Sequence, residues 1–250
     1  MNRRLKNLLR PHALRAVRWL VPRRMAGGFA NLAALSRLSN WLATGPMECS
    51  GDRTALYERI LRSEALDAPV DYLEFGVYQG ASLRWWCEHI DCSEARFFGF
   101  DCFEGLPEAW GLVQKGAFDT GRQVPQIDDH RVEFVVGLFQ DTVAPFLQRM
   151  PLRRRKIIHM DADLYSSTLY VLALLSPSLE PGDIIIFDEF GSIRMAQHEF
   201  RAFEDFTSAF LISTARLGAN ELLETVAVKV VSRPPRAIAP SEALIAAAGR

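Results

Sequence analysis

The chain has 250 residues, of which 49% are hydrophobic and 24% charged, and its formal net charge is -1. This length and composition suit a protein with one sizeable globular core, and the balanced charge gives no sign of a nucleic acid or generally acidic partner. The four cysteines form no Cys-x-x-Cys pair, so we expect reduced thiols and a cytoplasmic setting. The sequence contains no apolar run long enough to cross a bilayer and no convincing secretion signal.

The N-terminal segment, residues 1–50, is basic. Residues 1–47 contain no Asp or Glu but many arginines, and apolar residues recur between them at roughly helical spacing. This pattern predicts an amphipathic helix that is interrupted near Pro11. Such a helix can cover a ligand site as a lid, contact an anionic membrane surface from one side, or pair with a second copy of the chain to form a homo-oligomer. The sequence leaves these three alternatives open. Contact with a membrane surface would predict peripheral membrane localisation.

Beyond a predicted helix at residues 52–66, short apolar runs alternate with helical patterns. The predicted strands cover residues 71–75, 96–101, 132–136, 156–161 and 183–187. The predicted helices cover residues 80–90, 141–149, 167–175 and 195–210. Two extended runs, 211–217 and 225–231, are close enough in sequence to pair antiparallel. We therefore expect a Rossmann-like, doubly wound α/β sheet with an antiparallel edge over residues 51–232, followed by a loose Pro- and Ala-rich tail at residues 233–250.

The first predicted strand leads into a glycine-containing turn, where the pattern E-x-G-x-x-x-G places Glu74, Gly76 and Gly80. Glycines let such a turn press its backbone amides against a bound group. The spacing differs from the G-x-G-x-x-G run of dinucleotide sites, and a carboxylate there suits a cationic or hydroxylated ligand better than a diphosphate. S-adenosylmethionine is such a ligand, since it has a sulfonium, an amino group and a ribose. Turns of this kind also occur for packing reasons, so the motif alone does not decide the function.

Carboxylates follow three more of the predicted strands. Asp101 ends the second strand, where its side chain can accept hydrogen bonds from ribose hydroxyls. Asp161 follows the fourth strand, and Asp188 and Glu189 follow the fifth. If these two strands are neighbours in the sheet, the three side chains converge in one crevice. Their mutual repulsion then favours a divalent cation such as Mg²⁺.

Six segments, in order, resemble the macrocin O-methyltransferase family, a branch of the class I S-adenosylmethionine-dependent methyltransferases. The resemblance covers roughly residues 72–206, and its segments are LEFGVYQGAS, GFDCFEGLPE, KGAFDTG, VEFVVGLFQDT, HMDADLYSSTLYVL and LEPGDIIIFDEF. It implies a seven-stranded sheet, bound S-adenosylmethionine, and methyl transfer to a hydroxyl of a sugar or glycosylated small molecule. In characterised branches it also implies a divalent ion, here taken as Mg²⁺, that holds the sugar hydroxyl.

Matched to that family position by position, the donor-binding residues are Glu74, Gly76, Gly80, Ser82, Asp101 and Gly137. The implied metal ligands are Asp161, Asp188 and Glu189. One departure concerns the pair after the fifth strand, which is commonly Asp-Asp in metal-dependent relatives and is Asp-Glu here. This difference leaves open whether the chain uses a metal.

Two residues are candidate general bases for a hydroxyl acceptor. Asp161 can take the proton of an acceptor whose pKa is lowered by the predicted cation. His198, on the last predicted helix, is the second candidate, although an exposed helix histidine explains it equally well. The long loop at residues 110–130 is typical of a lid or an acceptor-binding surface.

Two other functions are compatible with the expected fold. A nicotinamide-dependent dehydrogenase shares the fold type but needs the missing G-x-G-x-x-G run. A membrane-docked or inactive binding module would instead use the basic N-terminal segment. Binding of S-adenosylmethionine distinguishes a methyltransferase from a dehydrogenase. Binding to a membrane distinguishes the membrane-docked module from a methyltransferase.

Overall fold

A computed structural model describes residues 25–235 of the chain. The part of the N-terminal segment around Pro11, where a helix interruption was predicted, and most of the predicted tail lie outside these residues. In chain order the strands are β1 (Val70–Phe75), β2 (Arg96–Asp101), β3 (Val132–Val136), β4 (Arg155–Met160), β5 (Ile184–Phe187), β6 (Ser213–Ala219) and β7 (Val226–Ser232). The helices are α1 (Ala26–Ala43), α2 (Arg53–Ser63), α3 (Ala81–His89), α4 (Phe139–Arg149), α5 (Tyr165–Leu175) and α6 (Glu199–Ala209).

These strands form one seven-stranded sheet in the order β3-β2-β1-β4-β5-β7-β6. The first five strands are parallel, whereas β7 runs antiparallel to β5 and β6 runs antiparallel to β7. The predicted Rossmann-like sheet with an antiparallel edge is therefore confirmed. The strand order reverses at β1, which pairs with both β2 and β4. Open α/β sheets bind their ligands beyond the carboxyl ends of the strands at such a reversal.

Helices cover both faces of the sheet because its central strands are apolar on both sides. All six residues of β1 and all four of β5 are buried. Helices α1, α4, α5 and α6 contribute to the core on one face, and α2 and α3 to the core on the other. In α6, Phe200, Phe203 and Phe206 face the first of these two cores. Each such buried side chain contributes roughly 1.5–3 kcal/mol of transfer free energy.

Helix α1 packs against α6 and the segment before it. The side chain of Asn31 donates to the carbonyl of Ile193 at 2.7 Å, and Arg37 donates to Glu204 at 2.5 Å. Within the described chain, residues 25–50 contribute nothing to the wall of the cavity described below, so the lid prediction finds no support in α1. In the part of the chain that the structure describes, every helix is too short or too polar to cross a membrane.

The turns after the parallel strands continue the hydrogen-bonding ladder of the sheet. The backbone N–H of Asp161 donates to the carbonyl of Phe75 at 2.9 Å, and that of Asp188 donates to the carbonyl of Met160 at 3.0 Å. The residues that follow β1, β4 and β5 therefore lie side by side at one edge of the sheet. This edge positions the candidate site.

Gly76 is the tightest point of that edge. Its φ is +94°, and a Cβ placed on it would lie 1.8 Å from the carbonyl oxygen of Asp161. We expect Gly76→Ala to lower the free energy of unfolding by roughly 3 kcal/mol or more, because backbone atoms rather than a flexible side chain must move. Chemical denaturation measures this loss.

The matched control is Gly182→Ala. Gly182 has a similar φ of +100°, and among the described residues no atom lies within 4 Å of its Cβ position. Gly182→Ala therefore measures the cost of a side chain at positive φ without a steric clash, and we expect a smaller loss of stability than for Gly76→Ala. Equal losses for the two variants would show that the approach of Gly76 to Asp161 does not constrain the fold.

Candidate functional site

A cavity of about 260 Å³ opens at the carboxyl ends of β1 to β5. Its wall is formed by the turns after these strands and by part of the loop between β2 and β3. The predicted site residues that line it are Gly76, Asp101, Gly137, Asp161, Asp188 and Glu189. The topology explains this convergence, since parallel strands bring their carboxyl ends to one edge of the sheet.

Asp101 organises the part of the cavity that lies over β1 and β2. Its Oδ2 accepts hydrogen bonds from the backbone N–H groups of Val77 at 2.8 Å and Tyr78 at 2.9 Å. Its Oδ1 accepts from the N–H of Phe103 at 2.8 Å. Because a carboxylate offers about four lone-pair sites, Asp101 can still accept a bond from a ligand hydroxyl. The side chain thus joins two turns and also faces the cavity.

Gly80 and Ser82 do not line the cavity, so the prediction that they contact the donor is not supported by their positions. Gly80 immediately precedes α3, and its Cβ position lies 3.0 Å from the side chain of Pro125. The loop between β2 and β3 therefore covers the start of α3. Ser82 is only 6% exposed and its hydroxyl interacts with Tyr57. Both residues serve packing behind the turn.

Glu74 is also directed away from the cavity. It is 1% exposed, and its Oε2 accepts a hydrogen bond from the hydroxyl of Tyr72 at 2.5 Å. The same hydroxyl lies 2.9 Å from Nδ1 of His159, whose Nε2 lies 3.3 Å from the hydroxyl of Tyr57. Tyr72 and Glu74 are two residues apart and share one face of β1. The predicted contact of Glu74 with the donor is therefore not met in this structure.

Acidic side chains crowd the part of the cavity over β4 and β5. Burial, followed by the charge of Asp188, raises the pKa of Asp161 well above its usual range. Burial and the nearby Glu189 raise the pKa of Asp163 to about 7. Burial and Asp188 raise the pKa of Glu189 to about 7 as well. These carboxyl groups therefore have too little positive charge around them to ionise at the pH at which exposed carboxyl groups ionise.

Glu199, the first residue of α6, is buried behind this cluster. Its Oε2 accepts a hydrogen bond from the backbone N–H of Glu189 at 3.0 Å, which fixes the turn after β5. Burial raises the pKa of Glu199 well above its usual range. Burial therefore disfavours the charged form of this side chain, which holds the turn.

Arg53 supplies positive charge to the cluster from the start of α2. Its Nη1 donates to Oδ2 of Asp188 at 3.1 Å, and the hydroxyl of Thr225 donates to Oδ1 at 3.2 Å. Both oxygens of Asp188 are thus held by the protein. Asp161 differs, because within residues 25–235 its carboxylate takes part in no side-chain hydrogen bond and can accept a proton from a ligand.

The three predicted metal ligands, Asp161, Asp188 and Glu189, share the cavity wall. Among the residues that the structure describes, no group of three His, Cys, Asp or Glu side chains is arranged to hold a metal ion. The donor set nevertheless fits a hard divalent cation in its chemistry, because it consists of carboxylate oxygens with an excess of negative charge. Burial raises the pKa of each of Asp161 and Glu189, and the charge of Asp188 raises both further.

The second predicted base, His198, does not line the cavity. The backbone N–H of Tyr165 donates to its Nδ1 at 3.3 Å, and its ring meets that of Trp110 edge to face, with centroids 6.4 Å apart. Burial lowers the pKa of His198. The prediction that His198 takes the acceptor proton is therefore not supported by its position, and Asp161 remains the candidate.

The loop between β2 and β3 supplies an apolar wall. Leu106, Trp110 and Phe118 from this loop line the cavity together with Tyr78. The rings of Tyr78 and Phe118 meet edge to face with centroids 5.8 Å apart, a favourable arrangement for aromatic pairs. The cavity therefore combines an acidic side with an aromatic side, as expected of a site that binds a partly apolar, cationic or hydroxylated ligand.

Residues 73–190 match a family model described as a methyltransferase domain. A 4'-O-methyltransferase from Streptomyces olivaceus, named for 8-demethyl-8-(2,3-dimethoxy-alpha-L-rhamnosyl)-tetracenomycin-C, is 30% identical over 162 residues, which are 53% of this chain and 58% of the relative. Demethyldecarbamoylnovobiocin O-methyltransferase from Streptomyces niveus is 26% identical over 145 residues, which are 50% of this chain and 54% of the relative. The chain thus spans little more than half the length of these curated relatives.

A solved structure of CalS11, calicheamicin methyltransferase, resembles the fold with a TM-score of 0.57 and 21% identity. The match covers 79% of this chain and 91% of that chain. It supports the Rossmann-like fold alone. The matches together support the methyltransferase domain that the sequence resembles, and the narrower macrocin branch stays a prediction.

The sequence analysis assigned no individual role to three residues at the site, namely Arg53, Asp163 and Trp110. Asp163 was accessible to sequence reasoning, because it lies two residues beyond Asp161 in the turn after β4. Arg53 and Trp110 come from a helix start and an irregular loop, where hydrophobic periodicity gives no indication of what the side chain contacts.

The raised pKa of Asp163 predicts that this carboxyl group makes folding sensitive to pH. Between its ordinary pKa of 3.8 and its folded pKa of about 7, the folded chain binds more protons than the unfolded chain. The stabilisation from this group is therefore full at low pH and is lost as the pH rises through about 7. We expect Asp163→Asn to be more stable than the unsubstituted chain at pH 8, with a smaller fall in melting temperature between pH 5.5 and 8.

Thermal melts at the two pH values, without donor or divalent cation, measure this effect. An advantage of several degrees is expected at pH 8, because 1 kcal/mol moves the melting temperature of a domain of this size by about 2–4 °C. Asp128→Asn, in the exposed loop outside the cavity, is the control and should behave as the unsubstituted chain. An Asp163→Asn chain with unchanged pH dependence would contradict the assigned environment.

Proposed function

We propose that this chain is an S-adenosylmethionine-dependent O-methyltransferase that acts on a hydroxyl of a sugar or glycosylated small molecule. The observation that carries the proposal is the acidic cavity at the reversal of strand order, inside the segment that matches a methyltransferase domain. Its carboxylates suit a cationic ligand, and they oppose the pyrophosphate of a nicotinamide dinucleotide. This charge disfavours the dehydrogenase alternative.

The donor half of the cavity is the part over β1, β2 and β3. Asp101 and the turns at Gly76 and Gly137 would hold the donor there, with the remaining lone-pair site of Asp101 accepting from a ribose hydroxyl. Gly76 fits this role because its lack of a side chain leaves the turn open to a ligand and close to Asp161. When bound, S-adenosylmethionine supplies a methyl group on a positively charged sulfonium.

Asp161 is the proposed general base. It lies where the donor half meets the acidic side of the cavity, and its carboxylate can accept the proton that an acceptor hydroxyl loses. The raised pKa of Asp161 makes it a stronger base than an exposed aspartate. It also means that the carboxylate becomes protonated, and so inactive as a base, at a higher pH than an exposed aspartate does.

A divalent cation, proposed as Mg²⁺, would be held by Asp161, Asp188 and Glu189. Such an ion lowers the pKa of a bound hydroxyl and neutralises crowded carboxylates. Arg53 already offsets part of the charge of Asp188. Arg53 therefore competes directly with the proposed metal ion for this carboxylate.

The sugar-containing acceptor is proposed from two kinds of support. One relative from Streptomyces is named for a rhamnosyl compound, and the cavity has an aromatic side next to an acidic side. Membrane contact and homo-oligomer formation through the basic N-terminal segment, and the cytoplasmic setting, stay predictions.

Donor binding is the first test of this proposal. We expect calorimetry to show binding of S-adenosylhomocysteine and S-adenosylmethionine, and Asp101→Asn to weaken it by about tenfold or more, because a hydrogen bond to a charged group contributes about 1.5–3 kcal/mol. Asp119→Asn is the control, since that exposed side chain only accepts a local bond from Gly121. Absence of heat and of any thermal shift at millimolar ligand would contradict the proposal.

The second test separates the base from the metal. With a trideuteromethyl donor and rhamnosyl acceptors, we expect Asp161→Asn to lower kcat by about 100-fold or more while leaving S-adenosylhomocysteine affinity nearly unchanged. Turnover of the unsubstituted chain should fall as the pH is lowered and Asp161 becomes protonated. Exhaustive EDTA treatment should suppress turnover and Mg²⁺ should restore it, as followed by mass spectrometry. Activity that survives chelation would leave a metal-free mechanism, and full activity of Asp161→Asn would exclude Asp161 as the base.

A further inference from the structure

Arg53 reaches the acidic side of the cavity from outside the cavity wall. It is the first residue of α2, and its Nη1 donates to Oδ2 of Asp188 at 3.1 Å. The side chain of Arg53 is 44% exposed, whereas that of Asp188 is 14% exposed and lines the cavity. The guanidinium can therefore leave this carboxylate and enter water without its charge becoming buried.

The pair between Arg53 and Asp188 is a single hydrogen bond. Within residues 25–235 the Arg53 side chain makes no other one. Elsewhere in the same sheet, Arg96 holds Asp71 with two parallel bonds, each 2.7 Å long. Two parallel bonds are the stronger arrangement for arginine and a carboxylate, and a partly exposed ion pair contributes little to stability. Arg53 is therefore a counter-ion that another cation can replace.

Asp188 is the carboxylate through which the proposed metal ligands interact. After burial, its charge is the largest contribution that raises the pKa of Asp161 and of Glu189. Burial lowers the pKa of Arg53, but nearby acidic groups, with Asp188 the largest, raise it above its usual range. The guanidinium and the other two proposed metal ligands therefore act on the same side chain.

A divalent cation at Asp188 would compete with Arg53 through charge. A carboxylate has about four lone-pair sites, so the bonds from Arg53 and from the hydroxyl of Thr225 leave sites for a metal ion. Two cations on one carboxylate nevertheless repel each other strongly at short range. A divalent ion also attracts the carboxylates more than a guanidinium does, because its charge is twice as large.

We propose that Arg53 and a divalent cation are alternative counter-ions of Asp188, so that cation binding releases the guanidinium and Arg53 sets the cation affinity of the site. The inference rests on the proposed function, because the cation ligands belong to that proposal. A monovalent cation replaces one unit of charge by another and gains nothing over Arg53 from charge alone. Exchange at Asp188 therefore favours divalent ions over Na⁺ and K⁺.

Binding of Mn²⁺ to the full chain tests the exchange, with free Mn²⁺ measured by electron paramagnetic resonance. Mn²⁺ is the probe because it prefers oxygen ligands, as Mg²⁺ does. We expect Arg53→Gln to bind Mn²⁺ about tenfold or more tightly than the unsubstituted chain, because the cation no longer has to displace a charged hydrogen-bond donor. Asp188→Asn should bind it about tenfold or more weakly.

Two further variants separate the charge of Arg53 from its packing. Arg53→Lys keeps the positive charge and a donor, which suffices for a single hydrogen bond, and should bind Mn²⁺ nearly as the unsubstituted chain does. Arg62→Gln removes the same charge from α2, but the partner of Arg62 is the exposed Glu58 outside the cavity. This control should leave the Mn²⁺ affinity nearly unchanged.

Melting temperatures give a second readout that does not depend on activity. Mg²⁺ should raise the melting temperature of Arg53→Gln by more than it raises that of the unsubstituted chain, because a ligand stabilises a fold in proportion to the logarithm of its affinity. A purely structural role of Arg53 would lower the melting temperature equally in EDTA and in Mg²⁺, so the two shifts would be the same.

The inference is overturned if Arg53→Gln binds Mn²⁺ no more tightly than the unsubstituted chain, or if Mg²⁺ stabilises the two chains equally. Absence of Mn²⁺ binding by both chains overturns it as well. Each of these results, with normal binding of S-adenosylhomocysteine, leaves the methyltransferase proposal intact. Failure of the unsubstituted chain to bind S-adenosylhomocysteine at all is the separate result that removes the proposed function itself.

Discussion

The approach of Gly76 to the carbonyl of Asp161 is the contact on which the candidate site depends. It occurs where the strand order reverses between β1 and β4, and it leaves no room for a side chain at residue 76. The glycine turn and the acidic turn are therefore adjacent. A ligand bound over β1 and β2 would lie beside the carboxylate of Asp161, which is the arrangement that the proposed methyl transfer requires.

Charge distribution gives the cavity its chemical character. Asp101 accepts three backbone hydrogen bonds that close two turns and keeps about one lone-pair site for a ligand, and Asp188 is held by Arg53 and Thr225. Asp161 and Asp163 lack comparable compensation, and burial together with repulsion from neighbouring carboxylates raises the pKa of each. A cationic ligand relieves this repulsion. The same imbalance explains why one site can attract a sulfonium, retain a proton and suit a divalent ion.

The sheet could be predicted from the hydrophobic pattern of the sequence. Parallel strands that are buried on both faces appear there as continuous apolar runs, as in β5. The carboxylates at the ends of β2, β4 and β5 followed from topology. Glu74 was predicted to contact the donor because it lies at the strand end, whereas strand alternation places it with Tyr72 on the covered face. Its contact with the donor stays a prediction. The pairing of Trp110 with His198 joins two irregular segments, and such a contact has no periodic signal in the sequence.

A crystal structure of the chain with S-adenosylhomocysteine tests the central claim most directly. The account predicts density over β1 and β2, with the ribose against Asp101 and the sulfur facing Asp161 past Gly76. A product bound elsewhere on the molecule, or bound with its sulfur on the far side of the sheet from Asp161, would contradict it.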